Sequence, residues 1–191
     1  MTQRISAHQR LLEAASELFY RNGIAATGID AIVKEAGVAK KSLYNNFASK
    51  QALVEAYLAE RHKEWLALYD ARMQGALTPK DAVLAVFLAY EDHAAQAYGH
   101  GFRGCGLLNE AAELPADSAE RRVVRQHKEQ VETLLRQHVE AYLDGRHERA
   151  ETVAHHLAFL LEGAMARAGL EGNGECLVQA RAMAAQMLEA L

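Results

Sequence analysis

Apolar residues recur at helical spacing along almost the whole chain. Leu11, Leu12, Ala15, Leu18 and Phe19 stand three and four apart, the period of one helix face. That run stops at Asn22-Gly23, where glycine can take the left-handed turn that ends a helix. Thr27-Gly28-Ile29-Asp30 then reads as T-x-x-D, a capping box with Asp in place of the usual Glu or Gln. It opens a second helix that buries Ile29, Ile32 and Val33 and stops at Gly37. A third short helix is predicted from about Ala39 to Phe47, and Ser49 caps a fourth that runs through Leu53, Val54, Tyr57, Leu58, Trp65 and Leu68.

Thr78-Pro79-Lys80-Asp81 joins a capping threonine, a first-turn proline and an acid three residues on, which starts a fifth helix. This helix is expected to reach about Ala97, before a glycine-rich loop from Tyr98 to Gly106. A sixth covers Leu107 to Glu113 and is stopped before Pro115. Asp117 or Ser118 caps a long seventh helix to about Leu143, ending at Gly145. The eighth runs from near Glu148 to Ala168 and ends at Gly169, and the ninth runs from near Glu175 onward. No segment shows the alternation of a strand. The pattern predicts an all-α protein of about nine helices.

Composition agrees: half the residues are hydrophobic, about a quarter are charged and only two are proline, which suits long helices. Net charge is −4, which alone argues against a nucleic-acid partner. The distribution changes that picture. Residues 1–50 hold seven Lys/Arg against four Asp/Glu, a local +3, so the remainder carries −7. A basic head on an acidic body suits local phosphate binding. No linker marks the change of sign, so the head and body are expected to share the fourth helix. The two cysteines, Cys105 and Cys176, lie far apart and form neither a metal pair nor a disulfide framework. No apolar run is long enough to span a bilayer, and Met1–Arg10 lacks the apolar core of a signal peptide. A cytoplasmic protein is expected.

The turn at Ala36-Gly37-Val38 joins two short helices as in a helix-turn-helix. At about 100° per residue from Lys40, Leu43 and Phe47 fall together and face the core. Lys41, Ser42 and Asn45 fall on the opposite face, a set able to read base edges, lysine for guanine, asparagine for adenine and serine for either. Lys40 and Asn46 flank that face, and Tyr44 lies toward its edge within reach of a phosphate. Lys50 and Thr27 stand at helix starts, where anions are favoured.

The stretch LLEAASELFYRNGIAATGIDAIVKEAGVAKKSLYNNFASKQALVEAYL resembles the N-terminal domain of TetR-family regulators over about residues 10–58. The L-x-x-A-x-x-L-F helix, the glycine stop, the T-x-x-D start, the A-G-V turn and S-L-Y-x-x-F-x-S-K carry the likeness. The resemblance implies a DNA-binding domain over 1–50, a ligand-sensing and dimerisation domain over 51–191, and a repressor released from a palindromic operator on double-stranded DNA. Carried over by position, the family's DNA contacts fall on Thr27, Lys40, Lys41, Ser42, Tyr44, Asn45, Asn46 and Lys50. Ala39 departs from the Ser/Thr often found at the cap of the third helix. The resemblance also implies a homodimer through the last two helices. These carry Val153, Leu157, Leu160, Leu161 and Ala164 on one, and Leu177, Ala180, Met183, Ala184, Met187 and Leu188 on the other. Effector binding is implied to shift the fourth helix and so change the spacing of the two recognition helices.

The region between the fourth and eighth helices is expected to enclose a pocket for a small apolar or aromatic effector. Trp65, Phe87, Tyr90, Phe102, Leu108 and Phe159 are its apolar candidates, and Asn109, Glu110 and Glu113 its polar ones. FRGCGLLNEAAELP, residues 102–115, is similar to segments in a branch of the family that responds to electrophiles, oxidants or hydrophobic drugs. Cys105 sits beside Arg103 at a helix entry, surroundings in which thiols become reactive, so control through Cys105 stands as the alternative. A helical enzyme reusing the fold and a sensorless architectural DNA binder are the competing classes. Gly99-His100-Gly101-Phe102-Arg103-Gly104 matches G-x-G-x-x-G but follows no strand, so it is not a dinucleotide fingerprint. No His has a Glu three residues before it, as a di-iron bundle requires. No metal, cofactor or catalytic group is expected.

Overall fold

The structure, a computed structural model, describes residues 5–96 and 101–191. Among them lie nine α-helices and no strand. They are α1 (Ala7–Asn22), α2 (Ile29–Glu35), α3 (Lys40–Asn46), α4 (Lys50–Met73), α5 (Pro79–Ala95), α6 (Gly106–Glu113), α7 (Ala119–Tyr142), α8 (His147–Glu171) and α9 (Glu175–Glu189). Ala97, Tyr98, Gly99 and His100, where the end of the fifth helix and part of the G-x-G-x-x-G match were expected, lie outside the described residues.

Four helix starts carry a side-chain cap. Ser6 accepts from the Gln9 amide at 3.1 Å, Ser49 from Ala52 at 3.0 Å and Ser118 from Arg121 at 3.1 Å. Thr78 and Asp81 form a reciprocal capping box with Pro79 in the first turn. The T-x-x-D start is a correction. Gly28, not Thr27, is the N-cap of α2, and no side chain caps that helix. Thr27 is only 1% exposed. Its hydroxyl donates to the carbonyls of Gly23 at 2.7 Å and Leu18 at 3.2 Å, so it ties the loop back onto α1.

Gly169 is a second correction. It does not end α8, which continues to Glu171 and stops at the left-handed Gly172 (φ 72°). A Cβ on Gly169 would stand 2.8 Å from the Gly104 Cα and 2.9 Å from the Arg103 carbonyl oxygen. Glycine is present there because a loop backbone crosses the helix at close range.

The chain forms two compact units. The first comprises Met1–Arg61 and Gly106–Val124, in which α1 packs on α2, α3 and α6. Its core includes Leu11, Phe19, Ile32, Leu43, Leu53 and Tyr57. The second comprises His62–Cys105 and Arg125–Leu191, in which α9 packs on α5 and α8. The head includes α6, and both α4 and α7 begin in the first unit and end in the second.

Candidate nucleic-acid interface and interior cluster

The turn between α2 and α3 is closed by backbone bonds from Gly37 to Lys34 and from Val38 to Val33, each 3.1 Å. Gly37 has φ 61°, which a side chain rarely adopts. Arg10, reaching across from α1, donates to the Gly37 carbonyl at 2.9 Å. Leu43 and Phe47 are buried and fix the roll of α3. The opposite face is left outward, with Lys40, Lys41, Tyr44, Asn45 and Asn46 exposed and Ser42 half-buried. Helix α3 thus has one anchored and one polar outward face, the arrangement that reading a major groove requires.

The outward residues are not equivalent. Lys40 pairs with Asp30 at 2.8 Å, and the hydrogen bond and charge of Asp30 hold its ammonium above its ordinary value. The Asn46 amide donates to the Ser42 carbonyl at 2.7 Å. Lys50, half-buried, donates to the Ile24 carbonyl at 2.6 Å. Lys41, Tyr44 and Asn45 stand outward on α3. Thr27, placed among the DNA contacts by position, has no surface to offer and its hydroxyl is committed internally. It belongs to the loop's framework.

Glu113 is likewise redirected. It was a candidate for the effector site, but its carboxylate accepts the Ala25 amide at 2.7 Å and lies directly against Gly23. It holds the α1–α2 loop of the first unit. Leu108 and Asn109, both half-buried on α6, also belong to this unit. Glu110 is 1% exposed there.

Trp65, Phe87, Tyr90, Phe102 and Cys105 are all buried in the second unit. The structure gathers further residues around them that the sequence did not single out, among them His127, Lys128 and Glu162. Lys128 pairs with Glu162 at 2.8 Å and lies 3.7 Å from the Cys105 sulfur and 3.5 Å from the Tyr90 hydroxyl. The Tyr90 hydroxyl is 3.4 Å from His127 Nε2, and His127 Nδ1 is 2.8 Å from His62 Nδ1. Trp65 meets Tyr69, Tyr90 and His127 at ring centroids of 5.6, 5.3 and 5.4 Å. Burial, with Lys128, His62 and His93 nearby, pushes His127 down to about 3. Burial alone would lower Lys128, but the ion pair with the Glu162 carboxylate outweighs it and holds the ammonium charged. Burial pushes the Tyr90 phenol up. A signal for His127 was present, since it falls on the apolar stripe Val124, Val131, Leu135, Val139 of α7.

Phe159 is 70% exposed and therefore not an interior pocket wall. With Leu160, Gly163, Arg167, Cys176 and Met183 it lines an open groove of about 600 Å³ along α8 and α9. Val153, Leu157, Leu161, Leu177, Ala184 and Leu188, expected to face a partner, are instead buried within the chain.

This geometry is that of a helix-turn-helix protein whose described residues hold α-helices and no strand. Residues 11–57 match the family described as bacterial regulatory proteins, tetR family. A TetR-family transcriptional regulator from Streptomyces coelicolor is 30% identical, with 95% of this chain and 93% of that one covered at a TM-score of 0.84. The transcriptional regulator UidR of Escherichia coli strain K12 is 31% identical over 74 residues, which are 39% of this chain and 38% of UidR. The transcriptional activator FasR of Mycolicibacterium smegmatis is 36% identical over 95 residues, 47% of this chain and 42% of FasR. The chain thus spans well under half the length of these curated relatives. It belongs to the TetR family of DNA-binding transcriptional regulators, which are not enzymes.

Proposed function

We propose that this regulator is a cytoplasmic homodimeric repressor, released from a palindromic operator by a small apolar or aromatic effector. The observation that carries the DNA reading is the outward face of α3, with Leu43 and Phe47 anchored behind it. Lys41, Ser42 and Asn45 read base edges. Lys40, Tyr44, Asn46 and Lys50 meet phosphate or flank the read bases. A palindrome requires a twofold protein. The α8–α9 groove, with Phe159 and Met183 each more than half exposed, supplies a face for the second copy. The effector site is the interior cluster of the second unit. Because α4 carries Lys50 at one end and Trp65 nearer the other, a ligand that favours one position of α4 shifts the spacing of the heads. It does so only through its differential affinity for the two spacings.

The test is a mobility-shift titration on DNA from upstream of the protein's own gene. Two basic heads making several phosphate contacts should lose about 10³-fold in affinity between about 50 and 200 mM salt. Binding indifferent to salt would overturn the reading. Phe159→Glu should give monomers by sedimentation and abolish the shift. An intact dimer would move the interface elsewhere.

The second reading is covalent control at Cys105, favoured by the placement of its sulfur in this interior cluster, 3.7 Å from the Lys128 ammonium. Loss of DNA release by mild oxidants in Cys105→Ser, with operator affinity unchanged, would establish it. An oxidant response that survives the substitution would dismiss it.

A further inference from the structure

The interior of the second unit is more polar than a helical core needs to be. Packing alone is best served by apolar side chains, and here imidazoles, phenols, an indole and an ammonium share one cluster. Its hydrogen bonds admit a consistent direction. Lys128 donates to the Tyr90 oxygen (3.5 Å). The Tyr90 hydroxyl donates to His127 Nε2 (3.4 Å). That leaves the His127 proton on Nδ1, donating to His62 Nδ1 (2.8 Å). On the far side, Tyr69 and His138 Nε2 bond to each other at 2.6 Å. One donor of the cluster is left over. The Trp65 Nε1–H is buried and meets no acceptor among the described residues, in a side chain only 3% exposed. Buried donors in proteins are almost always paired.

The charges of the cluster also close. The Lys128 ammonium is matched by the Glu162 carboxylate at 2.8 Å, and burial holds His62, His127 and His138 below the ordinary imidazole value. Among the described residues of the cluster, a ligand that enters finds flat rings, one unused donor and no unmatched charge. An added anion or cation would be desolvated without a counter-charge, which is costly.

We infer that the Trp65 cluster binds an uncharged, planar aromatic ligand that presents a hydrogen-bond acceptor, a ketone or quinone oxygen, to the indole N–H. This rests on the reading that the second unit senses a small molecule, and it names the chemistry of that molecule.

The test is calorimetric titration of the full chain with four compounds of similar ring size. They are 2-acetylnaphthalene, naphthalene, 2-naphthoate and N-methylquinolinium. The ketone should bind at least tenfold more tightly than each of the others. Trp65→Phe keeps a ring and removes the donor, so the advantage of ketone over naphthalene should fall below twofold. Trp65 is the chain's one tryptophan, so the wild type gives a second readout without any substitution. The N–H-sensitive indole band in ultraviolet resonance Raman should shift with the ketone and not with naphthalene. Equal or tighter binding of the anion or the cation overturns the assignment, as does binding of none of the four. Discrimination that survives Trp65→Phe, or a Raman band that does not move, overturns it too. DNA release is measured separately. A ketone that binds as described without releasing DNA leaves this assignment standing and overturns the inducer role. An anion that binds more tightly and releases DNA does the reverse.

Discussion

Asp30→Asn should strengthen DNA binding, although it removes an ion pair. Lys40 stands on the outward side of α3, yet its ammonium is held by Asp30 at 2.8 Å, with both side chains more than half exposed. Exposed pairs of this kind contribute little to stability, so the fold should tolerate the change. For DNA the change is large, because a lysine already neutralised by a carboxylate displaces little of the counterion atmosphere. Freeing it adds up to about 0.9 to the slope of log affinity against log salt for each head. Taken from 1 M to 0.1 M salt, that slope corresponds to about eightfold in affinity per head, and more where both heads engage. The assay is fluorescence anisotropy on one operator fragment at four salt concentrations, with wild type, Asp30→Asn, Lys40→Ala and the double variant. The gain should appear in Asp30→Asn as a steeper slope and vanish in the double variant, which is the non-additivity that a direct pair produces. An Asp30→Asn protein with unchanged slope would refute the placement of Lys40 at the DNA. So would a gain that persists without Lys40.

Glu113→Ala should cost about 1–2 kcal/mol of stability, since a charge-assisted bond to the Ala25 amide is lost. Glu113→Gln, which keeps an acceptor, should lose less than half as much in thermal unfolding. Gly169→Ala should destabilise by about 1–2 kcal/mol, because the close approach of Gly104 and Arg103 costs more in overpacking than the gain in helix propensity. Acid should weaken the fold through His127, whose folded value of about 3 lies below the ordinary 6.5. The unfolded chain binds the proton first, so this contribution is complete above the unfolded value and is lost as pH falls from 6.5 toward 3. Between about pH 7.5 and 5.5 the loss from this group is about 1.4 kcal/mol, and His127→Gln should flatten that part of the stability profile.

The helices were legible because their signals are local. Capping serines, the Thr78–Asp81 box and glycine stops sit within a few residues of the bonds they make. Leu43 and Phe47 told which face of α3 turns inward, and that placed Lys41 and Asn45 outward. What escaped depends on distant partners. Thr27 reads as a cap until Leu18 and Gly23 are seen to take its hydroxyl. Glu113 has no sequence neighbour to announce its bond to a loop 88 residues earlier. Gly169 looks like a stop because nothing nearby reveals the crossing of Gly104. Lys128 reads as an ordinary charge on a long helix, and only the fold brings Glu162, Tyr90 and Cys105 around it.

The most direct measurement of the central claim is binding of wild type and Asn45→Ala to an operator library varied one base pair at a time. Asn45 is assigned to a base edge, so its loss should relax preference by about 1–3 kcal/mol at one position in each half-site and leave the other positions unchanged. Lys50→Ala, measured beside it, should weaken all sequences alike, as loss of a phosphate contact does. A uniform loss with Asn45→Ala, indistinguishable from that of Lys50→Ala, would contradict the account of α3 as the helix that reads sequence.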